Sequence, residues 1–136
     1  LGFGMGIERL LLLMDKQGCD YLTPRKCELY IATMGENALR TAMRLAGELR
    51  DYGYVAEFDL MNRGVKAQMK YANRIGAAFT VVLGDNELES GQAKLRDMDS
   101  GEETPIPLGD KFVGSFDAIY IDKILGVIDD DSVFGQ

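Results

Sequence analysis

The sequence predicts an α/β domain whose sheet has a parallel core and an antiparallel edge. Three observations carry this reading. Between residues 27 and 83, β-rich and helical stretches alternate as strand–helix–strand–helix–strand, an order that right-handed crossovers fold into a parallel sheet. The run Phe79-Thr80-Val81-Val82-Leu83 is apolar nearly throughout, as a central strand covered on both faces must be. Beyond it, residues 92–97 and 102–106 flank Asp99-Ser100-Gly101 and read as a hairpin, which brings antiparallel pairing. At 136 residues the chain fits one domain of ordinary size with a real core.

Taken in order, the elements begin with an unusual start. Gly2, Gly4 and Gly6 alternate with Leu1, Phe3, Met5 and Ile7, which fits a strand with one bare face and one apolar, buried face. The bare face can meet a flat ligand or a neighbouring backbone. Residues 7–17 read as a helix stopped by Gly18 and apolar almost all round at residues 10–14. So short a chain can hardly cover such a helix, and the sequence opens in mid-element without a methionine. It is therefore expected to be a piece of something larger. The stretch around Pro24 has linker chemistry. After a strand at 27–33, residues 36–52 form a helix with Leu39, Ala42, Met43, Ala46 and Leu49 on its apolar stripe and Gly53 at its end. A strand at 54–58 and a helix at 63–75, closed by Gly76, complete the second unit. Gly84-Asp85-Asn86-Glu87 reads as a turn, its acids arguing against a phosphate cradle. A last helix spans 111 to about 126, and a frayed acidic tail begins at Asp129-Asp130-Asp131. The expected division is 1–18, a linker at 19–26, a domain at 27–128 and a tail at 129–136.

Composition narrows the chemistry. The apolar run at 10–14 is far too short to cross a membrane, and nothing resembles a signal peptide. Cys19 and Cys27 stand without any histidine, which argues against zinc or a disulfide framework and for a cytoplasmic setting. A Ser-His-Asp or Cys-His mechanism is excluded within this sequence. The net charge of −7 argues against nucleic acid, but its distribution does not. Residues 60–78 hold no acid, yet they contain Arg63, Lys66, Lys70 and Arg74. Setting those four aside takes the rest from −7 to −11, so one basic patch sits on a repelling body. At about 100° per residue the four cations fall within roughly 80° of one another, opposite Val65, Met69 and Ala72. They form an outward ridge flanked by Asn62, Gln68, Tyr71 and Asn73, side chains able to hydrogen-bond or stack on unpaired bases. An ordinary solvated lysine face is the alternative. The carboxylates Asp97, Asp99, Glu102 and Glu103 read as solvated turn residues.

Gly2-Phe3-Gly4-Met5-Gly6-Ile7-Glu8-Arg9 resembles the third signature motif of class II aminoacyl-tRNA synthetases. Residues 66–74, then Gly76-Ala77, the strand at 79–83, Gly84, Glu87 and Leu88, resemble the C-terminal anticodon-binding domain of the class IIa subgroup, in its histidyl form. The resemblance implies a three-layer domain with a mixed five-stranded sheet and about three helices, preceded by a strand–helix remnant of a catalytic domain. It implies that the parent is a histidine–tRNA ligase using ATP and magnesium, and a homodimer through its missing catalytic part. Arg9 would then lie against the ATP adenine as the catalytic-site residue, with Gly4 and Gly6 as floor and Glu8 organising the helix start. Arg63, Lys66, Gln68, Lys70, Tyr71 and Arg74 would meet the anticodon stem-loop of tRNA(His). The first two class motifs are not in this sequence, so the chain itself is expected to be inactive and to hold no cofactor or metal. Alternatives are a prolyl, threonyl or glycyl relative, or a non-catalytic synthetase-like regulator binding RNA or protein. A receiver-like or flavodoxin-like module is a weaker fit.

Overall fold

The computed structural model describes residues 1–20 and 24–131, the side chains of 127–131 excepted. Its elements are α1 (Ile7–Lys16), β1 (Leu29–Thr33), α2 (Glu36–Asp51), β2 (Ala56–Phe58), α3 (Val65–Arg74), β3 (Phe79–Leu83), α4 (Asp85–Ser90), β4 (Gln92–Asp97), β5 (Glu103–Pro107) and α5 (Phe112–Asp131). The five strands lie in the order β2-β1-β3-β4-β5. β1 runs parallel to both β2 and β3, whereas β4 is antiparallel to β3 and to β5. The mixed sheet is therefore as expected, and β3 occupies the very residues its apolar run marks.

Alternation along β1 divides the interior into two layers. Leu29 and Ile31 face a large core shared with α2 and α5, while Tyr30 and Ala32 face a smaller one under α3. In the larger core Phe116 meets Tyr54 and Phe79 edge-on, at centroid distances of 5.2 and 5.8 Å, and stacks on Tyr120 at 5.8 Å. The middle of α5 is pinned by Lys123, whose ammonium reaches Asp97 and Asp99 at 2.9 and 2.7 Å. These two acids of the hairpin turn are thus ion-paired across the domain. α3 covers β1 and its neighbours only, so the β4–β5 half of that sheet face stays open.

Several sequence expectations are corrected. Residues 1–6 form no strand and are exposed. A strand needs a neighbouring ladder, and none of the five strands pairs with residues 1–6. α1 stands where it was read, yet buries no residue. On α2 the buried stripe is Ala38, Ala42, Leu45, Ala46 and Leu49. Met43 is 52% exposed, since it lies about 140° from Ala38 on the wheel while Leu45 and Leu49 fall beside it. The turn at Gly84–Glu87 opens a short fourth helix of the domain, its start closed by Glu87 Oε2 accepting from the Gly84 N–H at 2.9 Å. Gly91 ends it with a left-handed φ of +67°. The acids Asp129, Asp130 and Asp131 belong to α5 rather than to a frayed tail, and residues 132–136 lie outside the described residues.

The two cysteines differ sharply. Cys19 is exposed, whereas Cys27 is buried and donates to the Leu29 carbonyl at 3.2 Å. Burial, then the carboxylate of Glu57, pushes the Cys27 thiol up to about 12. A thiol reagent at pH 8 is expected to modify Cys19 promptly and Cys27 only in denaturant. Equal native rates for the two would show that the β1 entrance is open.

Candidate nucleic-acid interface

α3 builds the site. It starts at Gly64 without a side-chain cap and turns Ala72 and Gln68 toward the sheet. Lys66, Lys70, Asn73 and Arg74 face solvent. The expected ridge thus exists, with one change at its head. Asp59, at the end of β2 and 1% exposed, takes hold of Arg63. Its Oδ1 accepts from Arg63 Nε at 2.6 Å and lies 2.5 Å from Nη2, while Oδ2 accepts from the Arg63 backbone N–H at 2.7 Å. Those charge-assisted bonds raise the Arg63 guanidinium further above its ordinary range. An acid does therefore accompany the cations, and it lies one residue outside the acid-free window.

Tyr71 sits between two of these cations. The Arg63 and Arg74 guanidinium carbons stand 4.8 and 5.0 Å from its ring centroid, and its ring leans on Tyr30 at 5.8 Å. Tyr30 is fully buried, and among the described residues its hydroxyl oxygen is the buried side-chain atom without a hydrogen-bond partner. Burial, then the Asp59 carboxylate, raises its pKa above the ordinary phenol value. Arg63, Lys70, Tyr71, Asn73 and Arg74 line a shallow depression of about 420 Å³. A half-buried aromatic base with three cations around it can hold an anionic oxygen without itself being free for a base to stack on.

Gln68 is the clear correction. Read as an exposed flank residue, it is completely buried. Its Nε2 donates to the carbonyls of Thr33 and Arg63 at 2.8 and 2.5 Å, and its Oε1 accepts from the Thr33 N–H at 2.8 Å. The amide thus clips the end of β1 to the start of α3 and is unavailable to a surface ligand.

On the other flank of α3 lies a groove of about 500 Å³ over the open half of the sheet, with Met69, Thr80, Val82, Lys94 and Arg96 among its lining. Lys94 and Arg96 were missed as candidates. Their signal was the alternation of β4, where buried Ala93 and Leu95 turn them both onto the α3 side. Gly4, Gly6, Glu8 and Arg9 lie at the start of α1, all exposed. Among the described residues no cluster of His, Cys, Asp or Glu could hold a metal ion, and no helix is long and apolar enough to cross a membrane.

A three-layer domain on a β2-β1-β3-β4-β5 sheet, with a cationic helix on one side, agrees with what comparison finds. Residues 28–113 match the model of the anticodon binding domain, and the chain belongs to that family. The relatives point to one branch of it. The histidine–tRNA ligase of Clostridium perfringens is 49% identical over 108 residues, covering 79% of this chain and 26% of its own length. The crystal structure of apo S. aureus histidyl-tRNA synthetase aligns with a TM-score of 0.65 at 42% identity, covering 81% of this chain and 28% of that one. A histidyl-tRNA synthetase from Nostoc sp. PCC 7120 shares the fold, with a TM-score of 0.62 at 23% identity over 84% of this chain and 28% of that one. The chain spans about a quarter of the length of the curated relatives it matches.

Proposed function

We propose that this chain is the C-terminal part of a histidine–tRNA ligase and that the outer face of α3 receives the anticodon stem-loop of tRNA(His). The observation that carries the reading is the row Lys66, Lys70 and Arg74, exposed and standing clear of any acid in the ion pairs described, on a chain of net charge −7. Asp59 fixes Arg63, Arg63 and Arg74 flank Tyr71, and the cations are held ready for backbone phosphates. Phosphate contacts give affinity and register, so base discrimination falls to neighbouring groups such as those over β4. In the whole enzyme Arg9 would lie beside the ATP adenine, with Gly4 and Gly6 beneath it and Glu8 organising the helix start. The whole enzyme would consume ATP with magnesium and act as a homodimer in the cytoplasm, and this part alone would not charge tRNA.

The test is titration of the 136-residue chain with an RNA hairpin carrying the tRNA(His) anticodon loop. Because Arg63 is already paired with Asp59, three free cations rather than four should release counterions. The log–log salt slope is then about −2 for single-strand geometry. Lys66→Glu with Lys70→Glu should weaken binding roughly 100-fold and flatten that slope, with an unchanged melting curve. Protection of β4 and β5 alone, with α3 untouched by the RNA, would remove α3 from the interface.

A further inference from the structure

On the far side of the sheet from α3, the outer face of α5 carries a second surface. Gly114, Ala118, Ile121 and Leu125 are all exposed, Ile121 and Leu125 at 45 and 54%. Their spacing of four, three and four residues places them within about 60° of one another, a straight seam roughly 16 Å long. The inward face of the same helix buries Phe112, Val113 and Phe116, so the seam is not a part of the core left loose. Its first turns open onto a groove of about 750 Å³ between α5 and the end of α2, lined by Asp51 and Tyr52 on the α2 side and by Asp110 just ahead of α5. Small residues at Gly114 and Ala118 leave room there for a bulky side chain, and large ones at Ile121 and Leu125 supply the apolar surface below.

Charge decides what fits. Asp117 and Asp122 flank the seam, and Asp51 and Asp110 rim the groove beside Lys111. Glu48 is taken by Arg44 at 2.6 Å, and Lys123 is turned to Asp97 and Asp99. Two copies of this face brought together would oppose acid to acid along both sides of the seam, which disfavours a second copy as occupant. We infer that the α5 seam and its groove dock a basic amphipathic helix of a separate protein partner, with apolar residues at i, i+4, i+7 and i+11 and lysines or arginines flanking them. Because α3 lies across the sheet, the partner and the RNA can be held together.

The test uses a synthetic helix with leucines at those four spacings and lysines beside them, titrated into the isotopically labelled 136-residue chain. A saturable interaction in the micromolar range should shift the amide signals of Gly114, Ala118, Ile121 and Leu125 and leave α3 unchanged. A shuffled peptide of the same composition and one with glutamates for the lysines should not bind. Ile121→Lys with Leu125→Lys should weaken binding at least about tenfold without lowering the melting temperature, as both side chains are exposed. Equal binding of the lysine and glutamate peptides, shifts mapping elsewhere, or no binding would overturn the inference. So would self-association of the chain that Ile121→Lys abolishes, since a second copy would then be the occupant. Failure here leaves the RNA titration untouched, because that readout lies on the other face.

Discussion

Phe116→Ala is expected to destabilise the domain by about 3–5 kcal/mol, the usual loss for a large aromatic side chain emptied from a core. Phe116 is fully buried; it meets Phe79 of β3 and Tyr54 just before β2 edge-on, and stacks on Tyr120 of its own helix. Edge-on and stacked pairs each add about 0.5–1.5 kcal/mol beyond area burial, so alanine removes both the transfer gain and the ring pairing. Tyr54 and Tyr120 also hold polar ties, to Asp117 and to Glu28, which limits how far they can move to fill the space. For a domain whose whole stability is about 5–15 kcal/mol, the unfolding midpoint in urea should fall by a large fraction. Phe116→Leu keeps most of the volume and should cost far less. A loss below about 1 kcal/mol for alanine would mean that α5 is not docked on β3 as described.

What the sequence made legible follows from how local the signal is. β3 could be bounded to the residue because a buried strand leaves a nearly continuous apolar run, which Thr80 alone interrupts. Gly53 and Gly76 marked helix ends because both adopt left-handed φ, +89° and +69°, which favours glycine over any other residue. The cations of α3 were legible because an outward helical face is read from spacing alone. The start of the chain was not, since alternation at Gly2–Ile7 describes a strand only where a partner strand exists. Met43 and Leu45 on α2 are both apolar, and only the packing of Ala38 and Ala42 on the sheet chooses between them. Asp59 escaped notice because it sits ahead of the helix, one residue outside the acid-free stretch, though it stands four residues from Arg63. Its burial, and not its position in the sequence, makes it the anchor.

Gln68→Ala should cost about 2–4 kcal/mol, a large penalty for a residue that looks like surface in sequence. The amide is wholly buried and makes three hydrogen bonds, accepting from the Thr33 N–H and donating to the carbonyls of Thr33 and Arg63. Alanine would leave the buried N–H and carbonyl of Thr33 and the part-buried Arg63 carbonyl without this partner, and such groups carry a desolvation cost. Gln68→Glu separates geometry from bonding, since the carboxylate keeps the shape and the bond from Thr33 N–H. It has no proton for the two carbonyls when ionised, so it should also destabilise, and more at pH 8 than at pH 5. Gln68→Met, apolar and of similar length, tests volume alone and should remain well below wild type. The expected sign of failure in RNA binding is specific too. At temperatures where the alanine variant is still folded, α3 has lost its tie to the end of β1, so affinity for the hairpin should fall while the salt slope stays near its original value. A fall in slope equal to that of Lys66→Glu would mean that losing the clip also takes a cation of α3 off the phosphates. Unchanged stability in all three variants would mean that the bond set joining Thr33, Gln68 and Arg63 does not form.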